Sequence, residues 1–265
     1  MEGQTPGQKA QAVIDEAPRM MKSRGCLRLV DKQSMITCCG NSQCGTILRV
    51  ADASTEASVV CPDCGGQVPL PAGASFVIYD LETTGLYPDS CEIIQIAAAR
   101  FQDGRVVPGD AFFSYCRPLQ RIPYFISEYT GVRDQDVQNA PRPIDVLREF
   151  SRYVGHSVLM AHNGHRFDIK FLEATAARHA VATRPVESID TITLSKRLFG
   201  AKRGTGHGLD RVMERLGVNA ANYRRHDARG DVLALADSVS LLWQRLALDG
   251  RGRGVPRKET LLPEY

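Results

Sequence analysis

The chain has 265 residues, 43% of them hydrophobic and 24% charged, with a formal net charge of +3. That length allows one ordinary domain plus something smaller, with a real core. No apolar run approaches the ~20 residues that cross a bilayer. The segment Met1 to Lys22 also lacks the basic-then-apolar order of a secretory signal, so a membrane role is excluded and a cytoplasmic protein is expected. The charge balance neither demands nor excludes a nucleic-acid ligand.

In chain order, residues 1–34 read as an extension, disordered at its start and weakly helical around Ala10 to Met21. Five of the eight cysteines (Cys38, Cys39, Cys44, Cys61 and Cys64) then fall within residues 35–68, while Cys26, Cys91 and Cys116 stand apart. In a reducing compartment such clustering points to metal rather than disulfides. Residues 69–75 are a linker of small residues and proline. Phe76-Val77-Ile78-Tyr79 is a continuous apolar run, the mark of a strand buried on both faces. Ile93 to Phe101 reads as a second strand, Asp103-Gly104 as a hairpin turn, and Arg105 to Tyr115 as the returning third. Ile144 to Val154 has a helical period, Ser157 to Ala161 is another short strand, and Phe167 to His179 another helix. Val232, Leu235, Ala236, Val239, Leu242, Trp243 and Leu246 make one face of a long final helix. Residues 249–265 read as a flexible tail. A meander followed by alternating helices and strands predicts an α/β fold over residues 76–248, a mixed sheet flanked by helices.

Asp80 and Glu82 end the first strand of that domain. Side chains alternate along a strand, so both carboxylates point the same way. Two neighbouring acids losing hydration together call for a cation, and hard divalent ions prefer such oxygen ligands. A solvated strand end is the ordinary alternative. Asp168 opens a helix, where an acid also serves as a cap. Asp231 lies near the start of the last helix, and His226 sits upstream on a loop, with an imidazole suited to general-base work near neutral pH. Asp227, beside that histidine, is not counted among the ligands.

Taken in order, Asp80-x-Glu82 on a strand, His162-Asn163-x3-Phe167-Asp168, and His226-x4-Asp231 before a helix resemble the three motifs of the DEDDh, or DnaQ-like, exonuclease family. Arg117-Pro118, Ile122-Pro123, Thr130-Gly131-Val132 and Asp190-Thr191 agree further, and the resemblance spans about Phe76 to Leu246. It implies a ribonuclease-H-like fold and hydrolysis of phosphodiester bonds from a 3′ end, releasing nucleoside monophosphates. It also implies two bound ions, with Asp80, Glu82 and Asp231 holding the first. Asp80 would bridge to the second, Asp168 approach that one, and His226 act as base. Thr83, Thr84 and Leu86 would hold the terminal nucleotide, with His162, Asn163 and Phe167 at the edge of its pocket. An all-oxygen donor set suits Mg2+ or Mn2+ rather than zinc.

Cys39-Gly-Asn-Ser-Gln-Cys44 and Cys61-Pro-Asp-Cys64 form two knuckles separated by sixteen residues, a spacing that closes a tetrahedral zinc site. Cys38 is the alternative to Cys39, and Cys39 is preferred because it gives a Cys-x4-Cys knuckle. The segment resembles a zinc ribbon, with Ile47 to Val50 and Ser58 to Val60 as its strands. So small a unit depends on one structural Zn2+ for stability.

Lys196-Arg197 through His207 reads as a basic, glycine-rich loop. Like Arg224-Arg225, it either touches substrate phosphates without reading sequence or is simply solvated. The expected partners are nucleic-acid 3′ ends and, through the ribbon, a DNA polymerase or another protein. DNA is the leading substrate. An RNA-trimming exoribonuclease, a polymerase-associated proofreader and a non-catalytic adaptor are the alternatives. The spacing between His162-Asn163 and Phe167-Asp168 is one residue longer than is usual in replicase proofreading subunits and is more similar to stand-alone DNA repair exonucleases.

Overall fold

The computed structural model describes residues 28–31, 34–39, 41, 43, 44, 46–51, 58–69, 74–202 and 206–265. The expected helix around Ala10 to Met21, and most of the linker expected at 69–75, lie outside them. The chain divides into two units, residues 1–72 and 73–265.

In the first unit β1 (Arg28–Asp31), β2 (Ser34–Cys38) and β3 (Ile47–Ala51) form an antiparallel sheet, and β4 (Ser58–Val60) pairs with β5 (Gln67–Pro69). The strands expected at 47–50 and 58–60 are present. The cysteine-bearing unit starts earlier than residue 35, however. Residues 28–31, assigned by sequence to a disordered or helical extension, pair as β1 with Ser34, Met35 and Ile36. Strands of four and five residues leave little periodicity to read.

The second unit is a six-stranded mixed sheet. Its strands are β6 (Phe76–Thr83), β7 (Ile93–Gln102), β8 (Arg105–Tyr115), β9 (Val158–Ala161), β10 (Thr183–Asp190) and β11 (Lys258–Pro263), in the spatial order β11-β10-β9-β6-β7-β8. The meander β6-β7-β8 is antiparallel, β9 runs parallel to both β6 and β10, and β11 closes the edge antiparallel to β10. The helices are α1 (Tyr124–Thr130), α2 (Asp134–Val137), α3 (Pro143–Val154), α4 (Asp168–Arg178), α5 (Ile192–Phe199), α6 (Leu209–Leu216) and α7 (Ala228–Arg245). Pro143 opens α3 at its first position, where a missing N–H costs nothing.

The alternation of β6 sorts the core into two layers. Phe76 and Ile78 pack with α5, α6 and α7 through Leu194, Val212, Leu235 and Trp243. Val77, Tyr79 and Leu81 pack with α3 and α4 through Leu147, Phe150, Phe171 and Leu172. Trp243 meets Phe76 and Phe101 edge-on at ring-centroid distances of 5.1 and 5.5 Å. Asp80 and Glu82 share the parity of Phe76 and Ile78, so they leave the sheet on the side of α7, which carries Asp231.

Two expectations are corrected here. Residues 249–265 are not a flexible tail. The Asp249 carboxylate accepts from the backbone N–H of Arg251 and Arg253, both at 3.0 Å, and its carbonyl accepts from Trp243 Nε1 at 2.9 Å. The turn so formed delivers β11 to the sheet, where Leu262 is fully buried and the Pro263 carbonyl accepts from Ser151 Oγ at 2.6 Å. Lys196 and Arg197 likewise lie in α5, not in a loop, because Leu194 and Ser195 are buried and the helix runs to Gly200.

Gly252 sits at φ +60 under the Trp243 ring, and a Cβ there would stand 2.7 Å from Trp243 Cη2. Gly252→Ala therefore combines backbone strain with overpacking and is expected to destabilise the second unit by about 2 kcal/mol or more. A denaturation midpoint equal to the wild type's would show that the turn does not rest on the ring.

Candidate active site

The second unit brings acids from three elements to one end of the sheet. Asp80 and Glu82 come from β6 and Asp231 from the first turn of α7, and their carboxylate oxygens lie within 4.8 Å of one another. Asp168, at the start of α4 and 4% exposed, lies outside that group of three but close enough to act on it. Burial first, then the negative charges of Asp168 and Glu82, push the Asp80 carboxyl well above the ordinary range, with the Arg225 cation opposing them. Glu82 is pushed up to about 8 by burial, Asp168 and Asp227, again against Arg225. Asp168 itself rises to about 7 through burial, moderated by backbone hydrogen bonds from its own residue and from Leu81.

This donor set fits divalent ions. Its oxygens are hard, partly dehydrated and mutually repulsive, so a dication there relieves the penalty that raises their protonation. A measurable consequence follows for the metal-free protein. A carboxyl whose folded value exceeds its unfolded value favours folding fully below the unfolded value and loses that contribution as pH rises through the folded one. In chelator, the stability of the second unit should fall between pH 4.5 and about 8, and added Mg2+ should flatten the fall. A calorimetric melting series that is level in chelator would contradict the crowding of these acids.

His226 occupies a left-handed backbone conformation at φ +61 immediately before α7. Its N–H donates to Asp231 Oδ2 at 3.1 Å, and its ring stacks on Tyr129 of α1 with centroids 4.0 Å apart. Burial, then the Arg225 charge, lower its imidazole below the usual value, so it is neutral and able to take a proton near pH 7. Gly230 permits this loop, since a Cβ there would lie 2.0 Å from the Arg224 carbonyl oxygen. Asp227 is the N-cap of α7, accepting from Arg229 N at 3.1 Å and pairing with the Arg229 side chain. That is the structural role left to it by sequence.

The neighbouring loop is tied down by its threonines. Thr83 Oγ1 donates to the Gly85 carbonyl at 2.6 Å, and Thr84 Oγ1 accepts from Glu92 N at 2.9 Å. Leu86, 72% exposed, and Phe167 line one cavity of about 490 Å³ with Tyr87, Arg166 and Lys170. Asn163, at φ +62, has its N–H held by Asp190 Oδ1 at 3.0 Å. His162 uses both ring nitrogens internally, on Thr191 Oγ1 at 2.8 Å and the His207 carbonyl at 2.7 Å. It braces the loops and has no ring nitrogen left over for a ligand.

Two participants were not assigned from sequence. Gln95, fully buried in β7 and paired across from Glu82, accepts the Ala228 N–H at 2.8 Å and so fixes the start of α7 relative to β6. A lone amide in a fully buried strand demands a partner, and that signal was available. Arg225, read from sequence as either a solvated residue or a phosphate contact, is not solvated but paired with Asp231 and Asp210.

In the first unit, Cys39, Cys44, Cys61 and Cys64 form one cluster. Sγ atoms of Cys39 and Cys64 are 3.5 Å apart and those of Cys44 and Cys61 3.6 Å, close to the ~3.8 Å edges that ~2.3 Å Zn–S bonds imply for a tetrahedron. Cys39 lies in this cluster, and the side chain of the alternative, Cys38, is outside the described residues. Burial alone would raise Cys61, but backbone N–H groups of Cys64 and Asp63 bring it down to about 6. The Asn41 backbone lowers Cys39, yet burial and the other three sulfurs push it up to about 12. Four sulfurs this close together suit a shared metal ion.

The exonuclease family profile RNase_T covers residues 77–238. The chain belongs to the exonuclease family. Among curated relatives of this exonuclease-family chain, a DNA polymerase III subunit epsilon-like protein of Rhodobacter capsulatus is 38% identical over 182 residues, covering 67% of this chain and 25% of that protein. A PolC-type DNA polymerase III of Streptococcus thermophilus is 34% identical over 155 residues, covering 57% of this chain and 10% of the polymerase. The chain thus spans a quarter or less of the length of these relatives. A zinc-bound complex of E. coli exonuclease I with single-stranded DNA superposes with a TM-score of 0.55 at 18% identity, covering 66% of this chain and 41% of the other. Cell-death related nuclease 4 (CRN-4) gives 0.53 at 17%, covering 65% and 64%. These likenesses establish the fold, and the ribonuclease-H-like mixed sheet expected from sequence is present. Among the described residues, no helix is long and apolar enough to cross a membrane.

Proposed function

We propose that this chain is a divalent-metal-dependent 3′→5′ exonuclease that hydrolyses the terminal phosphodiester of DNA and releases nucleoside monophosphates. The observation that carries this reading is the convergence of Asp80, Glu82 and Asp231 within 4.8 Å of one another, with Asp168 and the neutral His226 beside them. Two Mg2+ or Mn2+ ions held there would lower the pKa of water and stabilise the attacking and leaving oxygens. Asp80, Glu82 and Asp231 would hold the first, and Asp80 and Asp168 the second. His226 accepts the proton of the attacking water as its oxygen bonds to phosphorus. The bond from phosphorus to the 3′ oxygen of the preceding nucleotide breaks, and that oxygen takes a proton from solvent. Leu86 and Phe167 offer apolar surface to the terminal base, and the tied Thr83-Thr84 loop fixes the backbone against which it rests. Asn163 holds the opposite rim, with His162 as its brace.

DNA is favoured because the relatives bear DNA polymerase names, and exonuclease I is described with single-stranded DNA. Those names also favour a polymerase as partner over the repair role suggested by the His-Asn to Phe-Asp spacing. A zinc-bound first unit would then be a contact for the polymerase or another protein. Reduced thiols in that unit fit a cytoplasmic setting.

The test is a digestion series on DNA and RNA oligonucleotides labelled at either end, with Mg2+ or chelator. A 5′-labelled DNA should shorten stepwise and a 3′ label should leave as mononucleotide at once, only with metal. Endonucleolytic fragments, or no cleavage in Mn2+, would refute the reading, and RNA cleaved as fast as DNA would refute its DNA preference. In the same assay the acid limb of kcat/KM should fall as pH drops through a value below 6.5, because His226 must be neutral and its ring is lowered. His226→Gln should remove that limb and about 10²–10⁴ of rate.

A further inference from the structure

Arg225 lies one residue before His226, its side chain 18% exposed. One edge of its guanidinium, through Nη1, contacts Asp231 Oδ1, an oxygen of the carboxylate that joins Asp80 and Glu82 in the acidic group. The other edge is anchored on α6, with Nη2 and Nε at 2.8 and 2.9 Å from Asp210 Oδ1. Asp210 is 73% exposed, so the guanidinium spans from a solvent-facing anchor to a nearly buried acid. Arg224, next to it, is 66% exposed and pairs with Asp227 at 3.9 Å.

A guanidinium and a divalent ion cannot share that face of Asp231. The planar fork has separate donor edges, so losing Asp231 need not break the hold on Asp210. The edge released from Asp231 would stay at the rim of the site, beside His226. There it would meet the non-bridging oxygens of a phosphodiester, which it matches as well as it does a carboxylate.

Resting on the nuclease reading above, we infer that Arg225 is a tethered counterion of the metal-free acids. Where Asp231 held a metal, Arg225 would give up its contact with that carboxylate, and its freed edge would bind a non-bridging oxygen of the 3′-terminal phosphodiester. Arg225 therefore opposes metal binding and supports substrate binding, two effects of opposite sign from one side chain.

That opposition is the test. Mn2+ is titrated calorimetrically into the 265-residue chain purified with zinc. Binding of a fluorescent oligothymidylate with a 3′-terminal phosphorothioate is followed by anisotropy in saturating Ca2+. Arg225→Gln should bind Mn2+ about tenfold more tightly than wild type, while Arg224→Gln, which removes the same charge one residue away, should change it by about threefold at most. Arg225→Gln should also bind the oligonucleotide about fivefold more weakly, with a salt slope smaller by about one. Arg225→Lys should fall between wild type and Arg225→Gln for Mn2+, and it decides alone if the glutamine variant does not fold. Mn2+ affinity unchanged or weakened at position 225, or matched by Arg224→Gln, would overturn the inference, as would undiminished oligonucleotide binding. A wild type that neither binds Mn2+ nor trims 3′ ends would sink the nuclease reading as well. A wild type that does both, with Arg225→Gln equal to it, would sink the inference alone.

Discussion

Asp80→Asn leaves a folded chain whose nuclease turnover is reduced at least about a thousandfold, a loss of about 4 kcal/mol of transition-state stabilisation. The substitution is nearly isosteric and sits on a strand whose other side chains are all buried, so it leaves the packing of Phe76, Ile78 and Trp243 intact. It removes the acid proposed to touch both ions. It also removes a charge that burial, Asp168 and Glu82 all oppose. The variant's melting temperature in chelator should therefore match or exceed that of the wild type, while the gain in melting temperature on adding Mn2+ should largely vanish. Turnover within tenfold of wild type, measured on protein free of host nucleases, would remove Asp80 from the chemistry. A lower melting temperature in chelator would mean that the residue is a structural partner rather than a strained ligand.

The second large effect concerns the first unit. Withdrawing the zinc proposed for the four cysteines of the first unit should unfold its strands while leaving the second unit's melting transition in place. The described core of this unit is very small, with Cys39, Leu48, Cys61 and Val68 as its buried members. Two of those four are the thiols themselves. A structural zinc contributes apparent binding free energies of about 10–16 kcal/mol in comparable small units, far more than two aliphatic side chains supply. Cys61→Ser should act as chelation does, because Cys61 combines full burial with the thiol lowered to about 6. Amide hydrogen exchange followed by mass spectrometry reads both units separately. Protection in β2 and β3 that survives chelation would show that the unit stands without metal.

How much of this was legible from the residues alone depended on how local the cause was. β6 and β7 were readable because a strand buried on both faces is a continuous apolar run, and α7 because its apolar positions repeat at helical spacing. The acid set was readable because its members fall at strand and helix ends in a recognisable order. β11 was not, since its place is set by an Asp249 turn and by Gly252 under Trp243, contacts between residues that show no period. The last turn of α5 was hidden for a related reason. Lys196 and Arg197 dominate the local composition, whereas buried Leu194 and Ser195 decide the conformation. His162 illustrates the limit on the site itself. Its motif position suggests a pocket residue, but both ring nitrogens go to Thr191 and His207, partners 29 and 45 residues away. Arg225 is the converse case, a residue that sequence leaves as either a solvated arginine or a phosphate contact. Only the packing of α6 and α7 puts Asp210 and Asp231 on either side of it.

The most direct measurement is anomalous diffraction from crystals of the full chain soaked in Mn2+. Two peaks about 3.5–4 Å apart, one among Asp80, Glu82 and Asp231 and the other between Asp80 and Asp168, are the expected result. Manganese density elsewhere, with these four carboxylates empty, would contradict the account.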